Sequence, residues 1–203
     1  MSAVGQGSCS VTYGHRVDVD WCGEVVDQIQ THWRERLRPR LDGLTDEEFY
    51  WQPVPGCWTI SRHGESAAPE SLGSGEYRLD YARPAPRPEP VTTIAWRLGH
   101  MVAGLAGING EHFGGPPTRD STFSYPGTAD DALRQLDDHY SHWICGLREL
   151  GTAGLSEPQG YPPAFADAPV ARKMLYVNVE LIHHGAEVRL LRDLYLRESG
   201  ERA

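Results

Sequence analysis

Glu180-Leu181-Ile182-His183-His184-Gly185-Ala186-Glu187 is the stretch on which the reading of this chain turns. Residues four apart share a helical face, so Glu180 and His184 form a pair, and Glu187 lies three residues beyond on the same stripe. Val177, Leu181, Val188 and Leu191 accompany that stripe and predict that it is largely buried. A buried carboxylate and a buried imidazole are costly unless they are paired or bind a metal. The bland alternative for Glu180 and His184 is a simple hydrogen bond at the surface. The sharper one needs a third ligand from another helix, which is how bundle cores build metal sites.

Outward from this stretch, residues 169–197 read as one long helix. Three more amphipathic segments precede it. Residues 18–44 carry Val25, Ile29, Trp33, Leu37 and Leu41 at helical spacing, with Pro39 predicting a kink or an early stop. Residues 90–113 carry Ile94, Leu98, Met101, Leu105 and Ile108, capped by Thr92 or Thr93 and stopped by Gly114-Gly115-Pro116-Pro117. Residues 128–150 carry Leu133, Leu136, Tyr140, Trp143, Ile144 and Leu147, with Asp130 and Asp131 in the first turn and Gly151 at the end. Thr45-Asp46-Glu47-Glu48 reads as a capping box opening a short helical turn. Residues 56–89 are rich in Gly, Ser and Pro and read as a long inserted loop, a lid or wall, within which 57–60 and 77–81 are short extended segments. Residues 151–167 read as a second Gly/Pro loop. The expected fold is all-α: a single antiparallel four-helix bundle over 17–198, behind a disordered tail at 1–16.

On the second of these helices, His100 follows Leu98 in the apolar stripe and is the best candidate for the third ligand, although a lone histidine there is also a common core residue. Two imidazoles and a carboxylate suit zinc with an open position, and nickel, iron or cobalt fit the same set. His183 lies about 100° round the helix from His184 and reads as a neighbour of the site rather than a ligand. His32, His112, His139 and His142 have no partner motif, and His15 and His63 fall outside the helices.

Composition narrows the function classes. The formal net charge is -9 and the pI about 5.4, without a Lys/Arg block, which argues against nucleic acid as a partner. No apolar run is long enough to span a membrane, and the polar start lacks the pattern of a secretory leader, so a cytoplasmic protein is expected. Cys9, Cys22, Cys57 and Cys145 form no C-x-x-C pair and read as reduced thiols.

Thr93-Ile94-Ala95-Trp96-Arg97-Leu98-Gly99-His100-Met101 resembles the second-helix motif of the DinB-like superfamily, and His183-His184-Gly185-Ala186-Glu187 is similar to its fourth-helix motif. The resemblance spans about residues 20–197 and implies the bundle's helix order. It also implies a divalent metal held by His100, Glu180 and His184: most of the superfamily is expected to use three histidines, and the His-Glu-His set here is similar to that of the mycothiol-dependent maleylpyruvate isomerase group. Glu187 stands where the superfamily commonly has glutamine. The implied activity is a metal-dependent thiol S-transferase or thiol-dependent isomerase, acting on a small electrophile. Zinc or nickel would be the metal, and mycothiol the cosubstrate, activated as a metal-bound thiolate. Glu187 would then handle a proton or orient a water, and Arg97 would clamp an anion in the same cavity. Trp58, Tyr77 and Tyr81 would wall the electrophile pocket. A non-catalytic, stress-linked bundle that binds metal or a small ligand is the first alternative. A hydrolase using a zinc-bound water with Glu187 as base is the second. Pairing as a homodimer through helix faces is compatible with such a bundle.

Overall fold

The computed structural model describes residues 17–200. The tail at 1–16, with Cys9 and His15, lies outside the described residues. Helix α1 runs Trp21–His32, N-capped by the Asp20 carboxylate. It passes into a π turn, Trp33–Leu37, and a 3-10 turn, Arg38–Leu41. Pro39 therefore neither stops nor sharply ends the element. Proline has no N–H and its ring clashes with the carbonyl four residues back; the wider π turn relieves both. It also keeps Trp33, Leu37 and Leu41, spaced by fours, facing the core.

Helix α2, Asp46–Tyr50, is capped as expected by Thr45, whose hydroxyl accepts from the Glu48 amide. Glu48 is only 2% exposed, and its carboxylate lies 2.9 Å from Arg192 Nε. Helix α3, Ile94–His112, begins four residues later than expected. Thr93 is extended and caps it through the Trp96 amide, while Trp58 and Thr92 form a parallel bridge. Helix α4 runs Ala129–Leu155 from a Thr128 cap. Gly151 ends its main part as expected: at φ 62° it breaks the helix, and a separate further turn buries Leu155. Helix α5 runs Val170–Glu198.

Helices α1, α4, α3 and α5 pack in that order round one core, with fully buried Leu37, Ile94, Leu98, Leu136, Trp143, Leu147 and Met174 inside. A buried amide ties three of them together: Asn178 on α5 accepts from Trp143 Nε1 and donates to the Val25 carbonyl.

The 56–89 insertion holds a small antiparallel sheet: β1 (Ile60–Arg62), β2 (Glu70–Leu72) and β3 (Tyr77–Tyr81), in the order β1-β3-β2. Ile60 pairs with Leu79, as does Leu72 on the other side. The expected extended segment at 77–81 is strand β3, whereas the one at 57–60 joins the sheet only at Ile60, with Trp58 in an isolated bridge to Thr92. Ile60 and Leu79 turn their side chains onto α3 at Gly99, where a Cβ would lie 2.6 Å from Ile60 Cδ1. Glycine at that position is what lets the sheet seat beside His100. Buried Asp80 completes the anchor, accepting from the Thr59 amide and the Ser66 hydroxyl, while its carbonyl accepts from Trp96 Nε1.

Candidate metal centre

The polar stripe of α5 meets α3 where the helical spacing placed it. His100, Glu180 and His184 each offer one ligand atom, all within 4.8 Å of one another. His184 Nε2 lies 3.1 Å from Glu180 Oε2. Two ligands at roughly 2.1 Å from a shared ion stand about 3.0–3.4 Å apart, so this separation suits a common metal. The His100 and His184 rings meet edge to face, with centroids 4.9 Å apart.

Each imidazole is held from behind. His184 Nδ1 lies 2.7 Å from Glu187 Oε2. Arg97 Nη1 also lies 3.3 Å from the same nitrogen. A carboxylate can only accept, so with a metal at Nε2 the ring proton would sit on Nδ1, facing Glu187. This is the carboxylate–histidine arrangement that orients metal ligands. The same Glu187 oxygen takes Arg97 Nε at 3.1 Å, and Glu187 Oε1 lies 3.4 Å from His183 Nε2. His100 stacks on Trp96, with centroids 5.2 Å apart and planes within 19°. Trp96 is itself pinned to Asp80 of the insertion. Burial, helped by neighbouring His184, pushes His100 below the ordinary imidazole value of 6.5, which favours the neutral, ligating form. Tyr176 stands one turn before Glu180, and burial together with the nearby Glu180 carboxylate pushes its phenol pKa up.

The donor set therefore fits a divalent ion: two imidazoles with free nitrogens, one carboxylate, and outer partners on each. The cluster opens on a cavity of about 640 Å³ between α3 and α5. Its walls are mostly apolar, with Met101, Leu105, Ile108, Val177 and Leu181 prominent, and residues of the 159–165 segment roof it.

Four expectations change here. Glu187 is not among the residues lining the cavity; its carboxylate lies against His184 Nδ1 and Arg97 Nε instead. Arg97 is neither a free anion clamp nor a solvated side chain, because its guanidinium holds Glu187; burial pushes its pKa down while Glu187 opposes that shift. Trp58, Tyr77 and Tyr81 pack round the sheet and α3 and are not part of the cavity wall. The lid comes instead from the second loop, through Gln159, Pro162 and Phe165. Cys22, Cys57 and Cys145 are free, as expected. Trp96, Gly104 and Tyr176 were not singled out for the site, yet each sits one turn from a ligand, so the spacing rule that found Glu180 and His184 reaches them too.

Glu187→Gln is expected to weaken metal binding by about 10–100-fold without abolishing it, since outer-shell partners contribute on that scale. Competition with a chromogenic chelator measures this, and unchanged affinity would remove the role. A second expectation concerns pH. Burial holds His32, His100, His112 and His139 below 6.5 in the folded chain. The unfolded chain then binds protons first as pH falls. Stability is full above the unfolded value and is lost progressively below it. In chelator-treated protein the urea midpoint should hold from about pH 8 to 7 and decline from about pH 6.5 to 5. A flat profile would contradict the burial of these imidazoles in their neutral form.

No helix among the described residues is long and apolar enough to cross a membrane. The family model described as the DinB superfamily matches residues 70–188, more than half of the 203-residue chain. The match runs from β2 into α5 and includes all three candidate ligands. No curated protein and no solved structure matches the chain.

Proposed function

The chain belongs to the DinB superfamily, and we propose that it is a metal-dependent transferase or isomerase that uses a low-molecular-weight thiol, mycothiol by family resemblance, against a small electrophile. The observation that carries this reading is the convergence of His100, Glu180 and His184 on the wall of a largely apolar cavity. A purely structural metal has no need of a cavity at its open side, whereas a reacting molecule does. Zinc is the favoured ion, and His100 Nε2 or Nδ1, Glu180 Oε2 and His184 Nε2 would hold it. Such an ion supplies positive charge that favours the thiolate over the thiol at neutral pH.

The protein's own residues do the rest. Glu187 and Arg97 fix the ring of His184. Trp96, tied to the insertion, fixes the ring of His100. Preorganisation of this kind spares the site from rearranging as charge develops. The apolar walls exclude water, which strengthens the electrostatics and guards a nucleophile against solvent. A hydrolytic reading needed Glu187 as general base beside a water, and its place behind His184 argues against that role.

The test is a titration of the cobalt-substituted protein with mycothiol, followed by absorption. A new thiolate-to-cobalt charge-transfer band supports the reading. Absence of a band at saturating thiol would sink the thiol chemistry while leaving the metal centre intact.

A further inference from the structure

The cavity beside the metal cluster has a polarity along its length. Its two walls are facing stripes on antiparallel helices. On α3 they run from His100 through Gly104 and Ile108 to Glu111, and on α5 from His184 through Glu180 and Val177 to Lys173. Eleven residues of helix separate the ends, a length of about 16 Å. One end holds the metal-ligating side chains. The middle is aliphatic. The other end is basic.

At that far end the Lys173 amine lies 2.7 Å from Glu111 Oε1 and 3.2 Å from His112 Nε2, so its charge is met within the protein. Arg172 is different. It lines the cavity, and its guanidinium sits 5.9 Å from the centroid of the Phe165 ring in the roof. Among the described residues it has no carboxylate partner. Two cations in the first turn of a helix oppose the helix dipole. Glu111 offsets one of them, and no carboxylate among the described residues pairs with the other.

The second observation is Gly104, one turn from His100 in the middle of α3. Glycine is the least favourable residue after proline in a helix interior. Its backbone here is ordinary helix, and a Cβ built on it would meet nothing within 4 Å. Neither backbone geometry nor close packing requires glycine. What its missing side chain does is leave open the part of the cavity next to the metal ligands.

We propose that this groove binds an extended amphiphilic anion, with its anionic group at Arg172, its apolar body between α3 and α5, and its other end admitted past Gly104 to the cluster of His100, Glu180 and His184. The assignment of the reacting end rests on the metal-centre reading; the binding of the anion does not. Arg172 then selects for charge and Gly104 for size.

The test uses the full chain, stripped of metal and loaded with zinc, with displacement of an anilinonaphthalene sulfonate dye by decanoate and by 1-decanol. In both forms decanoate should displace the dye at about tenfold lower concentration, the scale of one charge-assisted hydrogen-bonded pair. Arg172→Gln should reduce that preference to about twofold or less. Gly104→Leu should weaken both ligands about tenfold or more while zinc is retained. Gly104→Ala should leave binding in place and raise the thermal midpoint by about 2–4 °C. Equal displacement by acid and alcohol would overturn the proposal, as would a preference that survives Arg172→Gln, one seen only with zinc present, or wild-type binding by Gly104→Leu. Failure of zinc to bind, with the acid preference and its loss in Arg172→Gln intact, would bring down the metal reading and leave this one standing.

Discussion

Replacing His184 or Glu180 by alanine is expected to release the metal. Three candidate ligands converge, and each variant removes one of them. A tight zinc site is worth roughly 10–16 kcal/mol, so one ligand in three or four carries on the order of 3–4 kcal/mol, or several hundredfold in affinity. His184→Ala should show the larger effect. Its loss also removes the ring that Glu187 and Arg97 hold, although those two stay paired with each other. Glu180→Gln separates charge from shape, because the amide oxygen can still ligate but the anion is gone. It should fall between wild type and Glu180→Ala. Metal retained at one equivalent after dialysis against a micromolar chelator, in either alanine variant, would refute the ligand set.

The second large effect concerns the fold. Glu48→Ala is expected to cost about 3–5 kcal/mol, because it leaves the charge of Arg192 in a nearly closed site. The Arg192 side chain is 12% exposed and that of Glu48 2%. A domain of this kind has a total stability of about 5–15 kcal/mol, so the loss is a large fraction of it. The pair fastens the C-terminal half of α5 to α2, and α5 supplies two of the three candidate ligands. A double variant, Glu48→Met with Arg192→Met, should recover much of the loss, since apolar replacements of buried ion pairs are often neutral or better. Urea unfolding across the four-member cycle measures the coupling. A change below about 1 kcal/mol in Glu48→Ala would mean that water reaches the pair.

Much of this architecture was legible because helices repeat. The apolar stripes, the caps at Thr45, Thr93 and Thr128, and the meeting of Glu180 with His184 all follow from a period of 3.6 and from orphan amides at helix starts. Spacing assigns a residue to a face, however, and not to a rotamer. Glu187 was on the right stripe, but nothing in the sequence tells which nitrogen of His184 it would meet. Arg97 was rightly placed near His100, yet its partner lies on another helix and has no periodic signature. The same limit applies to the insertion. Its Gly- and Pro-rich composition reads as loop, whereas Ile60, Leu72 and Leu79 pair into a sheet only because α3 offers Gly99 as a seat. The roof of the cavity, from a segment with no pattern at all, is a tertiary fact of the same kind.

The measurement that bears most directly on the metal centre is X-ray absorption spectroscopy on the zinc-loaded protein, before and after addition of mycothiol. The account predicts a light-atom shell with two imidazoles at about 2.0–2.1 Å and no sulfur, then a new sulfur at about 2.3 Å when the thiol is present. Sulfur in the first spectrum would assign the metal to a cysteine site, and a spectrum with fewer than two imidazoles would contradict His100 and His184 as ligands.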